Sequence, residues 1–286
     1  GDINTLFIAR FFMGVFGASV IPLALILIAR HKESRERGRF VGIFFSSTFA
    51  ASLLGLFLSG IISWRWIYLI PAALSFVLSL AVFIYLPSFK SDAGSFRVNY
   101  AEAFKSRAVL IIFTYIFIVS LLYHGVQQWL SVYFSNRYAF GQLIISMLIT
   151  LTSLSGILGE LLGGRLADSH GRLKTAGLGI ILMSLSALAL LFKMPVALLA
   201  MLMVIWGLGW TLNHAGISTL LTDLPDEYLN ESASLNSSVR FISGGIGAVL
   251  GGVLIQVDFR FWLAIFGACI LALIIFSKKE RIWARI

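Results

Sequence analysis

Two stretches of this sequence place polar and aromatic side chains inside runs otherwise made for oil. Tyr123, His124, Gln127, Gln128 and Trp129 interrupt one apolar run, and Trp210, Asn213, His214 and Ser218 interrupt another. Helical residues three and four apart are neighbours. Positions 124, 127, 128 and 131 therefore share one stripe, and 210, 213/214 and 217/218 share a second. Both stripes are too polar for lipid and are expected to line a cavity. Aromatic and amide-bearing walls suit a partly apolar organic solute. Each histidine alone is read either as a helix–helix hydrogen bond or as a proton carrier. Two charges lie deeper still. Arg10 is about seven residues, roughly 10 Å, into the first apolar run. Glu160 is the one acidic residue well inside such a run. A charge at the bilayer centre costs at least ~2.5 kcal/mol, so both are candidates for function. Glu160 either takes up and releases a proton or pairs with a base such as Arg240. Arg10 either acts within the membrane or snorkels to its edge.

Other chemistry is missing from the sequence. Neither histidine stands in HxxxH or HxxE spacing, and the single cysteine, Cys269, allows no disulfide and no CxxC pair. There is no GxxxxGK[ST], HExxH or GxSxG. No metal, no cofactor, no ATP-driven step and no enzyme activity are expected.

The elements that carry these residues follow from composition. Of 286 residues, 59% are apolar and 12% charged, against ~45–50% and ~25% in soluble domains. Mean hydropathy is +0.93. That excludes a soluble enzyme or a nucleic-acid module, and the expected solvent is a lipid bilayer. Apolar runs of about 20 residues predict an all-α membrane protein with nine spans, near 3–29, 40–62, 66–87, 108–134, 142–164, 174–192, 195–221, 234–256 and 259–277. Sixteen Lys and Arg fall in 30–39, 88–107, 165–174 and the C-terminal tail, against four (Arg65, Arg137, Lys193, Arg260) on the opposite side. The net charge of +9 is thus a positive-inside bias. It predicts a multi-pass protein of the cell membrane with its C-terminus in the cytoplasm. The polar stretch 89–107 reads as a linker between a three-helix block, 1–88, and a six-helix block, 108–286.

A faint repeat joins the two blocks. Gly14 and Gly17 parallel Gly207 and Gly209, and Trp64-Arg65-Trp66 parallels Phe259-Arg260-Phe261. Taken at face value, the repeat predicts three more helices ahead of residue 1, twelve in all.

Residues 164–174 read Gly164-Arg-Leu-Ala-Asp168-Ser-His-Gly171-Arg172-Leu-Lys174. This resembles the GxLaDxxGRxxx(K/R) signature of the major facilitator superfamily. Gly171 permits a tight turn, Asp168 can pair with cations or cap a neighbouring helix, and Arg172 and Lys174 anchor the cytoplasmic face. Leu6 to Ala18, with Arg10, Gly14 and Gly17, looks like the family's fourth-helix motif. In the second span Gly42, Gly55 and Gly60 fit the antiporter motif, whereas Ala51, Leu56 and Ser59 depart from it.

The resemblance implies helices 4–12 of a twelve-helix transporter. It implies proton coupling through Arg10, beside which Glu160, from its place within a span, is the second candidate coupling residue. It also implies a central path lined by the two polar stripes, with Gly164, Asp168, Gly171, Arg172 and Lys174 forming a cytoplasmic gate. The expected partners are a small-molecule substrate, protons and lipid, with no nucleic acid and a monomeric state. The expected activity is proton-coupled efflux of a small organic solute. Two alternatives stay open: uptake of an organic anion with protons, and an inactive truncated fragment.

Overall fold

The computed structural model describes residues 3–59, 62–85, 100–224 and 226–277. Among these residues every regular element is a helix. Eight segments are long and apolar enough to cross a membrane, and α12, Phe259–Ser277, follows them. The chain is an all-α, multi-pass membrane protein.

The first expected span is two helices, α1 (Ile3–Gly17) and α2 (Val20–His31). Pro22 is the physical reason. It has no N–H to donate four residues back, and its ring crowds the carbonyl of residue 18, so the helix restarts at Ser19. The span expected at 108–134 is likewise broken into α6 (Arg107–Gln127) and α7 (Leu130–Tyr138). Here Trp129 leaves the helical path and donates its ring N–H to the Ala248 carbonyl, 2.7 Å away. A tertiary hydrogen bond sets this break, and no proline or glycine signals it.

The remaining spans are α3 (Ser34–Ser59), α4 (Trp64–Tyr85), α8 (Gln142–His170), α9 (Arg172–Ala189), α10 (Val196–Thr222) and α11 (Asp226–Ile255). Both copies of the aromatic-Arg-aromatic tripeptide begin a helix, α4 and α12. The residues between the expected spans 142–164 and 174–192 do not form a loop. α8 continues to His170, and α9 starts at Arg172. Gly171 alone separates them, at φ 103°, a conformation open to glycine and costly for L side chains. Most of the expected linker, residues 89–99, and the basic tail from 278 lie outside the described residues. Within the stretch read as linker, Tyr100–Ala103 forms a short helix, α5.

Two seams join α1–α4 to the later helices. α3 lies along α8, and α2 lies along α11. Leu25, Val41, Phe45 and Ala233 bury an apolar cluster where α2, α3 and α11 meet. In the later block α10 packs between α8 and α9, and α6 packs against α11. The main core collects around Trp206, Met183, Leu199 and Phe266, all fully buried. α1 buries nothing against the rest of the chain.

Candidate functional site: a buried polar centre between two seams

The α3–α8 seam is closed at one end by backbone contact. Gly38 and Gly42 lie directly on Gly164 and the Glu160 carbonyl, leaving no room for a side chain. The Asp168 carboxylate accepts hydrogen bonds from the backbone N–H groups of Gly38 (2.9 Å) and Arg39 (2.7 Å). It thereby places an anion against the N-terminal turns of α3, where the helix dipole favours one.

Arg172 extends the lock. Its guanidinium pairs with Asp168 at 3.0 Å and with Asp223, at the end of α10, at 2.9 Å. It also donates to the Ser34 carbonyl. Asp223 in turn holds Arg37 at 3.2 Å and the Ser34 hydroxyl at 2.9 Å. Arg37 adds hydrogen bonds to the carbonyls of Ala29 (2.7 Å) and Thr222 (2.6 Å). These groups tie the α2–α3 turn to the ends of α8, α9 and α10. Lys174 is exposed and outside the lock.

Towards their other ends α3 and α8 diverge. A cavity of about 850 Å³ opens between Ala50, Leu53 and Leu54 on α3 and Ile145, Ile149 and Ile157 on α8, with Ser131, Gln142, Ser146 and Thr150 as its polar groups. The pair of helices therefore forms a wedge, shut at the Asp168 end and open at the other.

Just inside the shut end lie the buried ionisable groups. Glu160 has no exposed surface, and its Oε1 approaches His214 Nδ1 to 2.7 Å. The approach is off the hydrogen-bonding line, so neither carboxylate oxygen nor the ring nitrogen gains an aligned partner. Phe45, from α3 across the seam, stands edge-on to the His214 ring at 4.3 Å. Arg240 of α11 acts electrostatically on both Glu160 and His214.

Next to this pair the Tyr123 and Trp210 rings stack at 3.8 Å and 8°, and Tyr123 also stacks on Trp206 at 5.3 Å. His124 meets Tyr123 and Trp210 edge-on, at 5.2 and 5.6 Å. Gln127 accepts from the Trp206 ring N–H at 2.7 Å.

Tyr123, His124, Gln127, Trp210, His214 and Glu160 are thus brought together. Three expected residues are not. Gln128 is exposed at the end of α6. Asn213 faces the opposite way, donating to Tyr115 and to the Ala176 carbonyl, and so ties α10 to α6 and α9. Arg10 is exposed on α1, where it pairs with the Tyr68 hydroxyl of α4 and lies 5.2 Å from that ring's centre.

Sequence reasoning missed Trp206, although it stands one turn before Trp210 on the same stripe. It also missed Arg37, Ser34, Asp223 and Phe45. Their sequence neighbours say nothing of a partner some 130 to 190 positions away. Among the described residues no group of three or more His, Cys, Asp or Glu could hold a metal.

The Major Facilitator Superfamily family model matches residues 1–247 and again 139–282. An uncharacterized MFS-type transporter, YwfA of Bacillus subtilis (strain 168), is 23% identical, the match covering 86% of this chain and 62% of that protein. A quinolone resistance transporter of Acinetobacter baumannii is 24% identical over 97% of this chain and 74% of its own. A purine ribonucleoside efflux pump, NepI of Salmonella enteritidis PT4, is 23% identical over 84% of this chain and 60% of its own. The chain therefore spans roughly three-fifths to three-quarters of the length of these relatives.

Proposed function

Because this chain belongs to the Major Facilitator Superfamily, we propose that it forms the whole or part of a secondary transporter. It would move a small organic solute out of the cell in exchange for protons by alternating access. The carrying observation is the Glu160–His214 contact at 2.7 Å, with Glu160 wholly buried and Phe45 of the other block against the histidine ring. A proton gained or lost there changes the charge at a seam that must part for the transporter to turn over. The wedge between α3 and α8 supports the same reading: one end is locked by Asp168, Arg172, Asp223 and Arg37, and the other is open.

In this reading Tyr123, His124, Gln127 and Trp210 form the solute wall. Gly164, Gly171 and Lys174 belong to the gate segment that Asp168 and Arg172 lock, and the basic end faces the cytoplasm of a cell membrane. Arg10 would contribute to coupling through Tyr68, Gln128 would act at the margin of the wall, Asn213 would brace α10 from behind it, and the working unit would be a monomer. The relatives named as a resistance transporter and an efflux pump support the outward direction.

The test is flux in proteoliposomes of the full-length protein under an imposed pH gradient. Glu160→Gln is expected to abolish proton-driven flux while leaving solute–solute exchange. Wild-type gradient-driven flux in Glu160→Gln would overturn the coupling role, and unchanged flux in Arg10→Ala would remove Arg10 from it. A second reading, uptake of an organic anion together with protons, is favoured by one observation, the buried and unpartnered Nη2 of Arg240.

A further inference from the structure

Arg240, half-buried on α11, is a cation that neither the seam lock nor the Glu160–His214 contact holds by a hydrogen bond. Its Nε donates to Asn236 Oδ1, one turn earlier on α11, at 2.8 Å. Its backbone carbonyl accepts from the Ser120 hydroxyl of α6 at 2.9 Å, which fixes this turn of α11 against α6. Its Nη2 is buried and has no partner. An unmade hydrogen bond at a buried charged group is costly, because the group has given up water and gained no partner.

Arg240 shares this interior with Glu160, His214, His124 and Tyr115, the groups its charge reaches. Glu160 answers that charge without hydrogen-bonding the guanidinium, so Nη2 keeps an open donor. Gly244, one turn beyond Arg240, lies against the His124 ring, and that ring abuts both Tyr123 and Trp210.

We propose that Arg240 anchors the carboxylate of an aromatic acid whose ring system lies against the Tyr123–Trp210 stack. The inference rests on the reading of the chain as a solute carrier and holds for either direction of transport. A guanidinium offers a planar fork that matches a carboxylate. A single guanidinium matches a monoanion better than a doubly charged phosphate. The aromatic rings supply the apolar contact that a small aliphatic acid could not use.

The experiment is equilibrium binding to the purified full-length protein, followed by calorimetry. The probes are 2-naphthoate and its neutral analogue 2-naphthamide. Wild type is expected to bind the acid at least tenfold more tightly than the amide. Arg240→Gln should weaken the acid by about 10–100-fold, as loss of a charge-assisted hydrogen bond implies, and leave the amide unchanged. Arg240→Lys should recover part of the loss. The double variant Arg240→Gln/Glu160→Gln, which removes both charges together, guards against misfolding of the single variant and should show the same loss.

Equal weakening of both probes, or no preference for the acid in wild type, overturns the proposal. So does absence of saturable naphthoate binding. Binding is read without flux, so the two readings fail separately. Arg240-dependent binding with no transport removes the carrier reading, and transport with charge-indifferent binding removes the anion anchor.

Discussion

Asp168 and Gly38 meet across the α3–α8 seam, the carboxylate of one accepting the backbone N–H of the other at 2.9 Å although 130 residues separate them. The contact needs α8 to remain helical through residue 168, so the gate acid is held on a helix where a short connection between spans was expected. It also needs Arg172 to hold that acid from one side while gripping Asp223 from the other. The side chains of Arg172 and Asp168 are 12% and 11% exposed, enough burial for their pairing to count.

Arg172→Ala is expected to leave Asp168 and Asp223 facing one another without their shared cation. The shut end should lose about 2–3 kcal/mol of closing free energy. Spin labels at Glu36 and Ser169, exposed positions near the facing ends of α3 and α8, read this in a Cys269→Ser background. The distance distribution should move outward. An unchanged distribution would mean that the lock does not hold the seam.

Gly164 tests the backbone contact independently of charge. A side chain there runs into the Gly38 carbonyl and the Gly42 backbone. Gly164→Val should destabilise the shut form by about 1–3 kcal/mol and shift the same label pair. Gly177 on α9 has open space around it. Gly177→Ala should instead be neutral or stabilise by up to ~1 kcal/mol. Equal effects of the two substitutions would refute the steric account.

Asp258 caps α12. Its Oδ1 accepts the Arg260 N–H at 2.9 Å, and its carboxylate pairs with the Arg260 guanidinium at 2.7 Å. These bonds hold its pKa below the usual carboxylate range. A lowered folded-state pKa stabilises above the unfolded value, and that contribution is lost as pH falls through the folded value. Asp258→Ala should therefore cost about 0.5–1 kcal/mol near neutrality, a modest figure because the pair is exposed. The gap in thermal midpoint between wild type and variant should close as the pH is lowered towards 3. A gap that persists undiminished in acid would rule out a charge-dependent cap.

Several features of this molecule were readable before any tertiary contact was known. Runs of about 20 apolar residues make helices whatever they pack against, because an unsatisfied backbone group in hydrocarbon is too costly. The span centres, the all-α class and the family resemblance at 164–174 follow from that local rule and from a short motif. Residue type alone also marked Glu160, Tyr123, His124 and Trp210, since polar and ionisable side chains are expensive in oil.

What the sequence could not decide was direction and partnership. Helical spacing places Asn213 and His214 side by side, yet neighbours on a helix point about 100° apart. The crossing of α10 over α6, α8 and α9 sent one to Tyr115 and the other to Glu160. The break at Trp129 turned Gln128 out of its expected stripe, because an indole N–H found a carbonyl on α11. The pairing of Asp223 with Arg37 and Arg172 exists because three helix ends converge. Periodicity fixes which face of a helix is polar, but only the packing of helices against one another fixes what that face meets.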